Sequence, residues 1–137
     1  MLGAALQLRK PLVALAGDTH NAWHSNLTLK GLASAAMKGM KVGEEFATPS
    51  VSAPGFERTL TLPPAQLKAI FEGADGKTGA VDDLKWVNPS LRGYLKMTFS
   101  NAPRPEAKGE WIFVSTVAER NYSIDAAAGR TASYSPS

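Results

Sequence analysis

Four side chains that can bind a metal or support its ligands lie within seven residues of one another: Asp18, His20, Asn21 and His24. A carboxylate and an imidazole two positions apart on a loop can both turn toward one point, where they offer oxygen and nitrogen to a metal ion. Short Asp-x-His strings also occur by chance, with the aspartate capping a turn and the histidine partly buried. The cluster alone leaves both interpretations open.

The segment before this cluster predicts a strand. Residues 11–16 read Pro-Leu-Val-Ala-Leu-Ala, a continuous apolar run typical of a strand buried on both faces, and Gly17 can open a loop where it ends. We expect that loop to comprise residues 18–26. Polar and aromatic residues directly after a buried strand are typical of functional sites in α/β proteins.

The rest of the chain predicts mainly strands. Residues 27–40 fit a broken helix or an irregular connection equally well. The pattern predicts a short strand and a rigid turn in 46–56, a helix over 65–72 ending at Gly73, and an antiparallel pair formed by 94–99 and 110–117. Trp86 and Trp111 are expected in the core or half-buried in a sheet, and residues 126–137 read as a frayed, flexible tail.

Composition limits the classes of function. The chain has 137 residues, which is one domain or part of one, and 44% hydrophobic with 20% charged residues is the balance of a soluble globular protein. Fifteen basic against twelve acidic residues give a net charge of +3. Because the basic residues never form a run of five or more, a nucleic-acid partner is not expected. The mild positive field favours anionic substrates such as phosphoesters.

Two absences in the sequence narrow the chemistry further. The chain has no cysteine, so any metal must be held by oxygen and imidazole ligands. The apolar start is interrupted by Arg9, Lys10 and Pro11, well short of the 18 or so residues of a membrane span. Its positive charges follow the apolar stretch, which is the reverse of a signal peptide.

Four stretches occur in an order that is more specific than any one of them. They are Gly-Asp-Thr-His-Asn-Ala-Trp at 17–23, Glu-Phe-Ala-Thr-Pro-Ser-Val-Ser-Ala-Pro-Gly at 45–55, Asn88-Pro89 with Arg92-Gly93-Tyr94, and Glu110-Trp111 with Phe113-Val114 and Thr116-Val117. Over residues 12–122 this series resembles the C-terminal region of PhoD-like alkaline phosphatases. These enzymes are members of the metallophosphoesterase superfamily.

The resemblance implies a fold and a site. The expected fold class is α+β or α/β, as a partial metallophosphoesterase-type β-sandwich with mostly antiparallel strands and one or two helices. Residues 1–125 would be the C-terminal portion of the phosphatase domain and 126–137 a flexible tail. Asp18 and His20 would bind metals in a dinuclear or multinuclear site of iron and calcium. Asn21 and Trp23 match flanking positions that would contact substrate or support the metal ligands. For His24, which could also contact substrate, the residues alone leave three roles open: metal ligand, support of the ligands, or contact with solvent.

The implied activity is hydrolysis of phosphomonoesters and phosphodiesters by a metal-activated water, with no protein nucleophile, in an extracytoplasmic (periplasmic or secreted) location. The superfamily places its other metal ligands upstream, so we expect this chain to be part of a longer enzyme. Such a part would expose a face and self-associate or be unstable alone. The alternative is a non-catalytic β-rich binding or assembly module that retains only part of the phosphatase site.

Overall fold

The computed structural model describes residues 2–8, 10–30, 35–73, 75, 79–114 and 124–136. Its elements, in chain order, are the helix α1 (Leu2–Leu8), the strands β1 (Leu12–Ala16), β2 (Ala22–Thr28) and β3 (Lys41–Ala47), the helices α2 (Phe56–Thr59) and α3 (Pro64–Glu72), and the strands β4 (Leu84–Asn88), β5 (Arg92–Ser100), β6 (Glu106–Val114) and β7 (Ile124–Tyr134). Within these residues no helix has the length and apolar content to cross a bilayer.

The strands form two sheets. The first has the order β1-β3-β2-β4 and the second the order β5-β6-β7. All neighbours are antiparallel except β1 and β3, which are parallel. The predicted fold class is therefore confirmed: an α+β structure with mostly antiparallel strands, compatible with a partial β-sandwich. Because β2 is antiparallel to both β3 and β4, the strands β1, β3 and β4 run in one direction and end at the same edge.

Side chains from both sheets form the core. Phe46 and Trp86 from the first sheet pack with Trp111 and Phe113 from the second, and all four are buried. The Trp111 ring stacks on Phe46 with ring centroids 5.8 Å apart, and its indole N–H donates to the Ala47 carbonyl at 2.8 Å. Both predicted sheet tryptophans thus lie in the core, where they join the two sheets.

Elements with strong local signals form as predicted. The helix α3 begins just after Pro63 and ends at Gly73, whose φ of 80° suits a residue without a Cβ. Its Leu67 is fully buried. The strands β5 and β6 pair as predicted, with Lys96 opposite Glu110 on the outer face. The part of the second predicted strand beyond Val114 lies outside the described residues, as do residues 31–34 of the undecided segment.

Two predictions near the site are wrong. The strand β1 is not buried on both faces, because it is an edge strand of its sheet, and Leu15 is 59% exposed. The predicted loop 18–26 stops at Asn21, and β2 takes up the remainder. Polar residues in β2 hid its strand pattern, although Ala22 and His24 alternate with Trp23 and Ser25 in burial.

The end of the chain also differs from the prediction. Residues 126–134, expected in a frayed tail, lie in β7, which pairs with β6 from Ala107↔Tyr134 to Val114↔Ile124. The second predicted strand begins earlier than expected, at Glu106. Small and polar residues have low strand propensity, so only pairing with a neighbouring strand shows that this segment is extended.

Candidate metal centre

Three connections meet where β1, β3 and β4 end. Residues 17–21 join β1 to β2, residues 48–55 follow β3, and residues 89–91 follow β4. Backbone hydrogen bonds hold the first two together: Thr48 N–H donates to the Ala16 carbonyl at 2.9 Å, and Ser50 N–H donates to the His20 carbonyl at 3.3 Å. Gly93 N–H of β5 donates to the Ser50 carbonyl at 3.0 Å, which ties this edge to the second sheet.

Asp18 and His20 lie exposed on the first of these connections. Both have a left-handed backbone, with φ of 64° and 61°, around a tight turn in which Thr19 N–H donates to the Gly17 carbonyl at 2.7 Å. Asp and His tolerate this conformation better than most residues, and such outliers cluster at functional sites. Within the described residues the Asp18 carboxylate makes no hydrogen bond or ion pair, so its oxygens can bind a ligand.

The backbone orients the His20 ring. Its Nδ1 lies 3.0 Å from the Pro54 carbonyl oxygen. A carbonyl can only accept, so Nδ1 carries a proton, and in the neutral tautomer the lone pair is on Nε2. Metal-binding histidines commonly donate their second ring N–H to a carbonyl or carboxylate, which sets the ring orientation and makes the free nitrogen a better ligand. His20 therefore presents the nitrogen that a metal requires.

Asn21 is fully buried and connects all three segments. Its side-chain Nδ2 donates to the Pro89 carbonyl at 2.5 Å, and its Oδ1 accepts from the Phe56 N–H at 3.3 Å. A Cβ at Gly55 would collide with this amide, which explains the glycine there. The buried amide therefore links the loop that carries His20 to the residue that follows β4 and to the start of α2.

Trp23 lies on the opposite face of β2 from the core. Its indole N–H donates to the Thr19 hydroxyl at 2.9 Å, and its ring packs against Phe56 and Phe71. The ring thus joins the turn between Asp18 and His20 to the helices α2 and α3. This packing places Trp23 beside the site without aiming its N–H at an external ligand.

His24 does not join Asp18 and His20. Its side chain is buried in the core, stacked on Phe46 at 4.7 Å between ring centroids. Its Nε2 donates to the Glu44 carboxylate at 2.6 Å. Lys41 and Lys85 also bind this carboxylate, Lys85 at 2.9 Å. The sequence analysis did not identify Glu44, although the alternation of Val42, Glu44 and Phe46 along β3 could have placed it on the core face.

Burial and hydrogen bonding have opposite effects on the pKa values of His24 and Glu44. Burial lowers the pKa of His24 below its ordinary value and outweighs the hydrogen bond to Glu44, which raises it. For Glu44, burial raises the pKa, but the hydrogen bonds from Lys41, Lys85 and His24 together lower it below its ordinary value. The histidine is therefore neutral and the carboxylate ionised near neutral pH.

The His24 pKa predicts loss of stability in mild acid. In the unfolded chain His24 takes up a proton near its ordinary pKa of 6.5, whereas in the folded chain it does so only at lower pH. The contribution of His24 to the free energy of unfolding is therefore complete above pH 6.5 and is lost as the pH falls toward the folded-state pKa. Urea unfolding between about pH 8 and about pH 5 should show this decline.

Glu44 extends this acid sensitivity below its ordinary pKa of 4.5, because its folded-state pKa is also lowered. In the control variant His24→Gln, which keeps a hydrogen-bond donor but does not titrate, the decline near the histidine pKa should disappear. A wild-type stability that increased as the pH fell through this range would show that His24 is protonated in the folded chain, contrary to our prediction.

Asp18 and His20 fit a metal ion as part of its ligand set. Both side chains are exposed, and the His20 tautomer leaves Nε2 for a ligand. Iron accepts an imidazole and a carboxylate, whereas calcium accepts the carboxylate oxygen. Among the residues that the structure describes, no group of three or more His, Asp or Glu residues can hold a metal ion. A site of the expected kind would therefore combine these two donors with others.

Comparison with known proteins shows to which family the chain belongs. The model of the PhoD-like phosphatase family matches residues 1–105, which include the metal-type donors and the three connections around them. The match ends before Glu110 and Trp111, which were part of the resemblance seen in the sequence. Neither the curated proteins nor the solved structures include a significant match. Since the family model covers most of its length, the chain belongs to the PhoD-like phosphatase family.

Proposed function

We propose that Asp18 and His20 are metal ligands in the active site of a phosphoester hydrolase of which this chain forms a part. The observation that carries the proposal is the His20 ring, whose Nδ1 donates to the Pro54 carbonyl. Among the described residues, neither its Nε2 nor the carboxylate of Asp18 on the same exposed turn has a partner. Family membership supports the same activity. The substrates we propose are phosphomonoesters and phosphodiesters, with iron and calcium as metals and an extracytoplasmic location.

When bound, the metals would supply a hydroxide near neutral pH and offset the negative charge of the phosphate oxygens. The chain's own contribution is to orient the ligands. The Pro54 carbonyl holds the His20 tautomer, and Asn21 holds the loop against Pro89 and Phe56. The Arg92 guanidinium donates to the Glu57 carboxylate and to the Ser90 carbonyl, so it links α2 to the residues that follow β4. No protein nucleophile is part of this proposal.

The test is elemental analysis of iron and calcium bound to the purified chain, and to a protein extended upstream if the chain alone binds none. Asp18→Ala and His20→Ala should each lose bound metal, because each removes one donor. Glu110→Ala is the matched control, since Glu110 is a carboxylate paired with Lys96 and Lys108 on the outer face of the second sheet.

Retention of full metal content and full phosphoesterase activity by both Asp18→Ala and His20→Ala would refute the proposal. An extended protein that binds no metal and hydrolyses no phosphoester would instead support the alternative of a non-catalytic binding or assembly module. Sedimentation and calorimetry of the same samples test the expected self-association or instability of the chain alone. A monomer that unfolds cooperatively would contradict that expectation.

A further inference from the structure

A cavity of about 460 Å³ lies at the same end of the first sheet, between α3, β4 and β7. Its lining includes the residues that follow β4, among them Pro89 and Ser90, and the apolar side chains of Trp86 and Leu91. This volume is within the range of about 300–1,000 Å³ that small-molecule sites occupy. The cavity is therefore large enough for a small organic ion.

The charged residues that line this cavity are cations. Lys68 and Arg130 both line it, and no carboxylate does so in the described part of the chain. The nearest acidic partner of Lys68 is Glu72, with the charged atoms 3.9 Å apart. No ion pair between Arg130 and a described carboxylate is present. The Glu72 carboxylate also accepts from the Val87 N–H at the cavity wall, so among the described residues it offsets one of the two cations. The remaining positive charge, at Arg130, attracts anions.

Arg130 is held in a geometry suited to binding an oxyanion. Its guanidinium lies over the Trp86 ring, 5.0 Å from the ring centroid. The N–H groups of a guanidinium point outward in its plane, so a cation held over an aromatic ring can still donate to a further ligand. Phosphate accepts two such hydrogen bonds side by side. Holding the group on the ring also reduces the entropy lost on binding.

Pro89 connects this cavity to the candidate metal centre. It lines the cavity, and its carbonyl accepts the hydrogen bond from Asn21, the residue next to His20. This hydrogen bond links the loop that carries Asp18 and His20 to a segment that lines the cavity. The two features share one edge of the sheet but no ligand residue.

We propose that this cavity binds a second phosphate group of the substrate, so that the site takes organic phosphates carrying more than one phosphate. The binding of phosphate by Arg130 and Lys68 stands by itself, whereas its assignment to the substrate rests on the proposed function. Arg130 supplies the paired hydrogen bonds and Lys68 supplies a further charge. Trp86 and Leu91 provide the apolar surface for the organic part.

The first test is a titration of the metal-free chain with inorganic phosphate, followed by NMR at the Trp86 indole N–H and the Ser90 amide. Saturable shifts are expected at both. Arg130→Gln and Lys68→Gln should each raise the apparent Kd by about tenfold or more, since each removes a charge-assisted hydrogen bond. Lys96→Gln makes the same charge change on the outer face of β5 and should leave the Kd unchanged. Asp18→Ala should also leave it unchanged.

Non-saturable shifts, or equal affinity in wild type and Arg130→Gln, would overturn the proposal. So would an equal loss in Lys96→Gln, because the effect would then follow net charge alone. In an active extended enzyme, Arg130→Gln should raise KM for a bisphosphorylated substrate and leave that for a simple monoester unchanged. Phosphate binding without any hydrolysis in that enzyme would leave the cavity assigned and reject the phosphatase function.

Discussion

Replacing Lys41 and Lys85 together by methionine should lower the free energy of unfolding by about 3 kcal/mol, because it leaves a buried carboxylate without a cation. Glu44 is only 2% exposed, and both lysines bind its Oε1. His24 donates to the other oxygen but is neutral, so it cannot replace their charge. Removing one partner of a buried ion pair typically costs about 3–5 kcal/mol. We expect the lower end of this range because the lysine side chains are 41% and 36% exposed.

Urea unfolding at neutral pH measures this loss. Adding Glu44→Gln to the double variant should restore most of the stability, because no charge is then buried. The matched control is Lys96→Met with Lys108→Met, since these lysines flank Glu110 at 3.4 Å each on the exposed face of the second sheet. That control should change stability little. A Lys41 and Lys85 double variant as stable as this control would contradict the prediction.

Trp111→Ala should reduce the free energy of unfolding by about 3–5 kcal/mol, the range for removing a large buried ring. The ring is 1% exposed and contacts Phe46, Trp86 and His24. Its loss also leaves the Ala47 carbonyl without its indole donor. Ala47 is the last residue of β3, so the change should loosen residues 48–55 and with them the Pro54 carbonyl that orients His20.

Since domains of this size have only about 5–15 kcal/mol of stability, Trp111→Phe is needed in case the alanine variant does not fold. The phenylalanine variant keeps much of the packing but lacks the N–H, so it should be intermediate in urea unfolding. Tyr94→Ala, on the exposed outer face of β5, is the aromatic control and should cost much less. An equal loss in Tyr94→Ala and Trp111→Ala would show that Trp111 does not join the sheets.

Part of the fold follows from local pattern. The helix α3 has a proline start, an apolar face and a terminal glycine, all signals within one short segment. The strands β5 and β6 alternate clearly enough to be recognised as a pair. The strand β7 has no such signal, because its small residues are extended only through hydrogen bonds to β6.

Part of the candidate site likewise follows from the sequence, and part is visible only in the tertiary structure. Residue type and order indicated Asp18 and His20, and the exposure of both on a strand-end loop keeps them available. Sequence proximity also grouped His24 with them. The start of β2 at Ala22 separates these residues, because alternate side chains of a strand face opposite sides and His24 turns into the core.

The sequence by itself determined the family resemblance, the metal-type donors and the elements with strong local signals. Tertiary structure alone decided which partners those donors have. The Pro54 carbonyl is 34 residues from His20, and the Pro89 carbonyl is 68 residues from Asn21. The lysine that completes the Glu44 cluster is 41 residues away. Backbone carbonyls carry no side-chain signature, so only the packing of separate segments shows which histidine nitrogen is free and which carboxylate is buried.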